Sequence, residues 1–219
     1  MGGRGASFGG GGSFQKQLLG GGGGGTVKPM NISSMGNMTL QSAEERARSK
    51  NHEELFVFDK NGKLVAAYKG NATSVAFPSS ELSRQGATVT HGHPKGDSNF
   101  GGTLSFADVG NMLRSNWGEH RATASGQGEM NYIMRRTSKS DSQGLMKQML
   151  KDAPKLESKF RSEYRSRYNS LRAAGKSEPQ AKHEARQKAV GMINRYYKNT
   201  MPKYGFEYVT RKNPYPYQR

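Results

Sequence analysis

The stretch Ala87-Thr88-Val89-Thr90-His91-Gly92-His93-Pro94, followed by Ser105-Phe106-Ala107-Asp108, decides how the chain is read. Ala87 to Thr90 are small or β-branched, which reads as a short strand, and they run directly into two histidines one residue apart. Alternate residues of a strand point to the same side. His91 and His93 can therefore aim both imidazoles at one divalent ion, at about 2.0–2.1 Å if it is zinc. Ser105 to Asn116 reads as a helix with Phe106, Val109, Met112 and Leu113 on one stripe. Asp108 then sits in its first turn, where its carboxylate can supply a third ligand. Three protein ligands leave a fourth position for water, the arrangement of a catalytic rather than a structural zinc. A general base outside the ligand set is also needed. Glu53 or Glu54 can reach the site if the strand they begin neighbours the one carrying the histidines. Plainer readings exist for the same residues. Ser105-x-x-Asp108 is also a helix N-cap with an acid in the first turn, and His91 and His93 could be turn histidines before Pro94. The conjunction of all these residues favours the metal.

Working outward, Glu54 to Asp59 is apolar and β-prone and reads as a strand. Lys60-Asn61-Gly62 is a turn, since Asn-Gly supplies positive φ, and Lys63 to Tyr68 returns as a second strand. Ser74 to Phe77 reads as a third strand stopped by Pro78, and Ser80 to Gln85 as a helical turn. A Gly/Ser/Asn-rich loop spans Lys95 to Thr103. Arg121 to Ser125 and Glu129 to Arg135 read as two strands around Gly126-Gln127-Gly128. Trp117 reads as core. His52, His120 and His183 have no partner pattern and read as surface residues. Residues 51–136 thus form a mixed α/β unit of modest core.

The flanks differ from it. Thirteen of the 29 glycines lie in residues 1–25, so residues 1–50 read as a Gly-rich flexible arm, with Phe8, Phe14, Leu18 and Leu19 as isolated apolar beads that could dock on a partner. A short helix fits Gln41 to Lys50. Residues 137–219 read as a mainly helical extension. Leu156, Phe160, Tyr164, Tyr168 and Leu171 recur at helical spacing, and Gly175 ends that helix. Ser177-Glu178-Pro179-Gln180 resembles a capping box opening a second helix. The pair reads as a helical hairpin, followed by a strand over Gly205 to Thr210.

Charge separates the same three parts. The chain carries a formal net charge of +17, distributed as +4 over residues 1–50, −1 over 51–134 and +14 over 135–219. An excess confined to one end suggests a polyanionic partner there. Lys159, Arg161, Arg165 and Arg167 interleave with aromatics and are candidate phosphate contacts. Cysteine is absent, which excludes disulfides, thiolate metal sites and cysteine nucleophiles. No apolar run approaches the roughly 18 residues of a membrane span, and the N-terminus lacks the apolar core of a secretory signal.

Glu53, the strand ending at Asp59, Gly62, Gly70, His91-Gly92-His93-Pro94-x-Gly96 and Ser105-Phe106-Ala107-Asp108 together resemble the JAMM/JAB metallopeptidase family. They are most similar to its RadC-type branch and to related domains of phage head-associated proteins, over residues 52–135. The resemblance implies an α+β fold, a cytidine-deaminase-like mixed sheet with flanking helices. To this domain the chain adds the basic C-terminal helical hairpin and the disordered Gly-rich N-terminal tail. It implies one zinc ion held by His91, His93 and Asp108, with Glu53 as the base that activates water and Ser105 stabilising the oxyanion. The implied activity is zinc-dependent peptidase or isopeptidase hydrolysis in a virion-associated phage protein, in the virion or host cytoplasm, with other virion or host proteins and nucleic acid as partners. The alternative is a non-enzymatic virion protein that keeps the fold as a scaffold and contacts DNA through its basic helices. Two departures from the family pattern are visible. Eleven residues separate His93 from Ser105, a longer spacing than in the family, and Gly92 stands where RadC-type domains have Asn.

Overall fold

The computed structural model describes residues 13–20, 28–72, 74–76, 78–93, 102–124 and 130–212. In chain order they form α1 (Phe14–Leu18), β1 (Lys28–Pro29), α2 (Leu40–Ser49), β2 (Glu54–Phe58), β3 (Leu64–Lys69), β4 (Thr88–His93), α3 (Phe106–Arg114), β5 (Glu119–Ala124), β6 (Met130–Arg136), α4 (Ser142–Ala173), α5 (Glu178–Thr200) and β7 (Phe206–Lys212). Short 3-10 turns cover Ile32–Met35, Ser79–Ser83 and Met201–Tyr204.

Among these residues the seven strands make one sheet in the order β1-β3-β2-β4-β5-β6-β7. The β2–β3 hairpin closes at Asn61-Gly62, where Gly62 has φ +81° and the Asp59 carboxylate accepts the backbone N–H groups of Asn61 and Lys63, both at 2.9 Å. The β4–β5 pair is parallel and every other neighbouring pair is antiparallel. A parallel pair needs a crossover, and α3 supplies it. The sheet is mixed, as expected. Ser74–Ala76 form no strand, which corrects the third strand read there. Asn71 instead holds this segment as a turn, its N–H donating to the Ser74 carbonyl at 2.9 Å.

Alternation along the strands sorts the core into two faces. Phe56, Phe58 and Ala67 meet Ala43 and Ala47 of α2 on one side. Leu55, Val57, Val89, Ala122, Met134 and Phe206 meet α1, α3, α4 and α5 on the other, through Phe14, Leu18, Phe106, Met112, Phe160, Ile193 and Tyr197. The α2 face also holds a buried polar network. Glu44 accepts from Arg121 at 3.0 Å and from Asn131 at 2.9 Å, Arg48 donates to Asn131, and Glu119 accepts from Arg121 and from Arg135.

Two parts read as appendages are integral to this architecture. Phe14 and Leu18 are buried in the chain's own core, with the Phe14 ring stacked 4.1 Å from Phe106. Burying each such side chain contributes about 1.5–3 kcal/mol, which offsets the ordering of one short turn. Pro154 lies inside α4 and cannot donate to the Leu150 carbonyl. Gln15 donates to that carbonyl at 3.1 Å instead, so α1 repairs the ladder that Pro154 breaks. At the other end β7 pairs with β6 along its whole length, and α4 and α5 cover one face of the sheet. The C-terminal part completes the core and is no mere extension. The glycine runs at 1–12 and 21–27, with Phe8 among them, lie outside the described residues. So do the loop at 94–101 with Pro94 and Gly96, and the turn at 125–129. No helix among the described residues is long and apolar enough to cross a membrane.

Candidate metal centre

β4 places the two histidines. Leu55 pairs with His91 across the β2–β4 ladder, so His91 and His93 share the face of Leu55 and Val57, away from α2. Both are buried. Their Nε2 atoms lie 3.0 Å apart. Gly92 between them points to the α2 side, where a Cβ would stand 2.8 Å from the Ala47 carbonyl oxygen. This is why glycine occupies the position between the histidines: α2 lies too close for any side chain.

α3 supplies the carboxylate. Ser105 and Asp108 form a complete capping box. Ser105 Oγ accepts from the Asp108 N–H at 3.1 Å and Asp108 Oδ2 accepts from the Ser105 N–H at 2.7 Å. The other oxygen, Oδ1, lies 3.5 Å from His91 Nε2. The capping and metal-site readings of this motif are therefore compatible, because one carboxylate oxygen caps and the other faces the histidines.

Glu53 and Glu54 go to opposite faces. Glu54 is held by Arg46 at 2.7 and 3.2 Å and by His52 at 3.2 Å, on the α2 side. Glu53 is buried and shares the parity of Leu55. Its backbone bonds to Asn71 and Gly70 at 2.8 Å each continue the β2–β3 ladder, and its charge acts on His91. Of the two candidate bases, only Glu53 belongs to the histidine side.

His120 corrects the sequence reading most. Read as a surface residue, it is buried at 1% exposure. β5 begins at Glu119, two residues before the strand read from Arg121. His120 is therefore paired with Val89 and faces the site. Its Nδ1 lies 3.1 Å from the Asp108 carbonyl oxygen, and its buried Nε2 has no hydrogen-bond partner among the described residues. One donor atom each from His91, Asp108 and His120 lie within 4.8 Å of one another. Such an imidazole, with one nitrogen on a backbone carbonyl and the other bare, has the outer-shell arrangement of metal-ligating histidines. Trp117 packs edge-on against its ring at 5.2 Å and donates Nε1–H to the Glu81 carbonyl at 2.8 Å, a core role as read.

The electrostatics follow from this burial. Burial alone would pull the His91 pKa down. The Asp108 charge and hydrogen bond, with the Glu53 charge behind them, outweigh it and push the value up to about 9. Burial pushes His120 down to about 4, Asp108 only partly opposing. Burial raises Asp108, but the facing His91 holds its carboxyl well below the usual carboxylate range.

Among the described residues the group whose donor atoms all lie close enough to share one ion is His91, Asp108 and His120, which could hold a metal. That group does not include His93, whose Nε2 approaches that of His91. A tetrahedral zinc with arms of about 2.0–2.1 Å has donor–donor edges of roughly 3.3–3.4 Å. The His91–His93 and His91–Asp108 separations of 3.0 and 3.5 Å bracket that edge. The chain matches no protein-family model, no curated protein and no solved structure.

Of the cations read as phosphate contacts, Lys159, Arg161 and Arg165 lie exposed on α4. Arg167 turns to the other side, 4.0 Å from Glu184 of α5.

Proposed function

We propose that this chain is a metal-dependent hydrolase of JAMM type, with zinc held by His91, His93 and Asp108 and an amide or isoamide carbonyl as substrate. The observation that supports the reading is that buried His91 and half-buried Asp108, from two separate elements, approach each other to 3.5 Å, with His93 Nε2 3.0 Å from His91 Nε2. When bound, zinc polarises the carbonyl and lowers the pKa of a water toward about 7. The remaining steps belong to the chain. Glu53 takes the proton from the attacking water and returns it to the departing amine. Ser105 Oγ accepts from the Asp108 N–H, so its own O–H is left to donate to the developing oxyanion.

His120 favours a second reading. Four protein donors would close the zinc sphere and leave no place for water, which is the pattern of a structural site. The domain would then be a scaffold stapled by its metal.

Metal analysis and thermal shift test both. The purified chain carries about one zinc per molecule, and chelation lowers its melting temperature. His93→Ala loses both the metal and the shift. A metal-free chain whose melting temperature ignores zinc and chelator alike overturns the site. Given metal, Glu53→Gln keeps zinc and abolishes hydrolysis of isopeptide-linked and peptide substrates in the hydrolase reading. If the wild type retains zinc, hydrolyses none of them, and loses the metal in His120→Ala, the scaffold reading replaces it.

A further inference from the structure

The strongest feature outside the metal centre is the solvent face of α4. At about 100° per residue, Lys147, Lys151, Lys155, Lys159, Arg161, Arg165 and Arg172 fall within an arc of roughly 160° around the helix axis. All seven are exposed. The acids of α4 lie outside that arc. Asp152 accepts from Tyr196 Oη at 2.9 Å and from Gln148 at 2.8 Å, and Glu157 accepts from the Phe14 N–H at 3.0 Å. Glu163 is half-buried. Cations near α5 have partners: Arg167 of α4 and Lys176 of the connecting turn meet Glu184, and within α5 Lys182 meets Glu178. On the α4 arc Arg161 pairs with Glu157 at 2.5 Å, Arg172 donates to the Lys176 carbonyl at 2.7 Å and acts on Glu178, and the other five form no ion pair with an acid among the described residues. Charge is segregated by helix face as well as by sequence.

What lies between those cations selects the partner. The arc is otherwise small or polar, with Ser158, Ser162, Ser166 and Asn169 among its residues, and it contains no large apolar side chain. A helix that lies on a membrane needs an apolar face to insert, and this one lacks it. Single-stranded nucleic acid is held by exposed aromatic platforms. Here Tyr164 and Tyr168 stack on each other, ring centroids 6.1 Å apart, on the α5 side where they pack with Leu171, Ala181 and Ala185. Phosphates are bound by cations together with hydroxyl and amide donors, which is the composition of the arc. From Lys147 to Arg172 the row runs for about 38 Å, close to one turn of duplex at about 34–36 Å.

We propose that the outer face of α4 binds double-stranded nucleic acid through its phosphate backbone, without reading bases. The proposal uses none of the residues at the metal centre and stands whether or not that site turns over. It also redraws the surface expected from sequence, dropping Arg167 and adding Lys147, Lys151, Lys155 and Arg172.

The test is a salt titration of full-length chain on a labelled mixed-sequence DNA duplex, with a duplex RNA of the same length as a second arm. Six to seven contacts give a slope of log affinity against log salt of about −5 to −6 on DNA. Lys151→Ala/Lys155→Ala/Lys159→Ala makes that slope shallower by about 3 and weakens binding at least tenfold at moderate salt. The equal charge change on α5, Lys188→Ala/Arg195→Ala/Lys198→Ala, moves the slope by less than 1. All six positions are exposed, so melting temperatures stay near wild type and report that the variants fold. Binding to RNA alone, or to both duplexes alike, supports the proposal and says which duplex the phosphates come from. No retention of either duplex at about 50 mM salt overturns it. So does an equal slope change in both triple variants, or binding of poly-glutamate or of phosphatidylserine-containing vesicles as tight as that of duplex.

Discussion

Gly92→Ala is expected to loosen the contact between the sheet and α2. The added Cβ would stand 2.8 Å from the Ala47 carbonyl oxygen and 3.0 Å from both its carbonyl carbon and its Cβ. Two of these three atoms are backbone, so no rotamer change relieves the contact, and α2 must move off by about half an ångström to restore ordinary contact. That helix carries Glu44, whose bonds to Arg121 and Asn131 are 3.0 and 2.9 Å long and would stretch with it. Overpacking costs about 1–3 kcal/mol, and the smaller conformational freedom of alanine in the unfolded chain returns about 0.4–1 kcal/mol. The net loss centres on about 1.3 kcal/mol and reaches about 2.6 kcal/mol, which for a chain of this size lowers the melting temperature by up to about 10 °C. Gly191→Ala is the matched control. It lies inside α5, where among the described residues an added Cβ meets only Arg195 Nη1 at 3.9 Å, and removing a helix-interior glycine contributes about 0.5–1 kcal/mol. Differential scanning fluorimetry of both variants decides the matter. A Gly92→Ala chain that melts above wild type, as the Gly191→Ala control is expected to, refutes the close approach of α2 and with it the account of why glycine separates the two histidines.

Two further outcomes follow from the buried charges. Glu44→Gln leaves Arg48 beside a neutral amide while Arg121 keeps Glu119, so the loss is expected at or a little below the lower end of the about 3–5 kcal/mol that breaking a buried ion pair from one side costs. Urea unfolding at neutral pH measures it, and a loss below about 1 kcal/mol would mean that those guanidinium groups reach water. In chelator-treated protein, stability peaks near pH 6.5. Folded His91 keeps a proton between its ordinary value of 6.5 and about 9 that the unfolded chain gives up, so stability falls as pH rises through that window. Folded His120 refuses a proton between 6.5 and about 4 that the unfolded chain takes, so stability falls as pH drops there. Chemical denaturation from pH 4.5 to 9 reads both limbs, and a flat profile contradicts the pairing of His91 with Asp108.

Much of the site was legible because its residues are near in sequence and their spacing has a local meaning. Two histidines one apart on a strand share a face whatever surrounds them. Asp108 at the third position of a helix capped by Ser105 has only a narrow range of directions. The parity that sends Glu53 and Glu54 to opposite faces is equally local, once β2 is known to run beside β4. His120 was missed because its role depends on where β5 begins, and a two-residue error in a strand boundary hides a buried residue. The α2-face network was missed because Glu44, Arg121 and Asn131 lie in three separate elements with no common motif. On α4 the excess of cations was plain in the composition, whereas the turning of Arg167 toward Glu184 is a property of the packed hairpin.

The amino-acid sequence by itself determined β2, β3, β4 and α3 around the site though not the start of β5, that any metal must be held by histidine and carboxylate, and that positive charge accumulates toward the C-terminus. These depend on covalent identity and on periodicities of two and 3.6 residues, which short windows reveal. Only the tertiary structure decided that Asp108 reaches His91, that His120 joins them, that Phe14 and Leu18 dock on their own chain, and that β7 closes the sheet. Each of these is a contact between distant segments, set by how the faces of separate elements bury one another, and no local pattern encodes that choice.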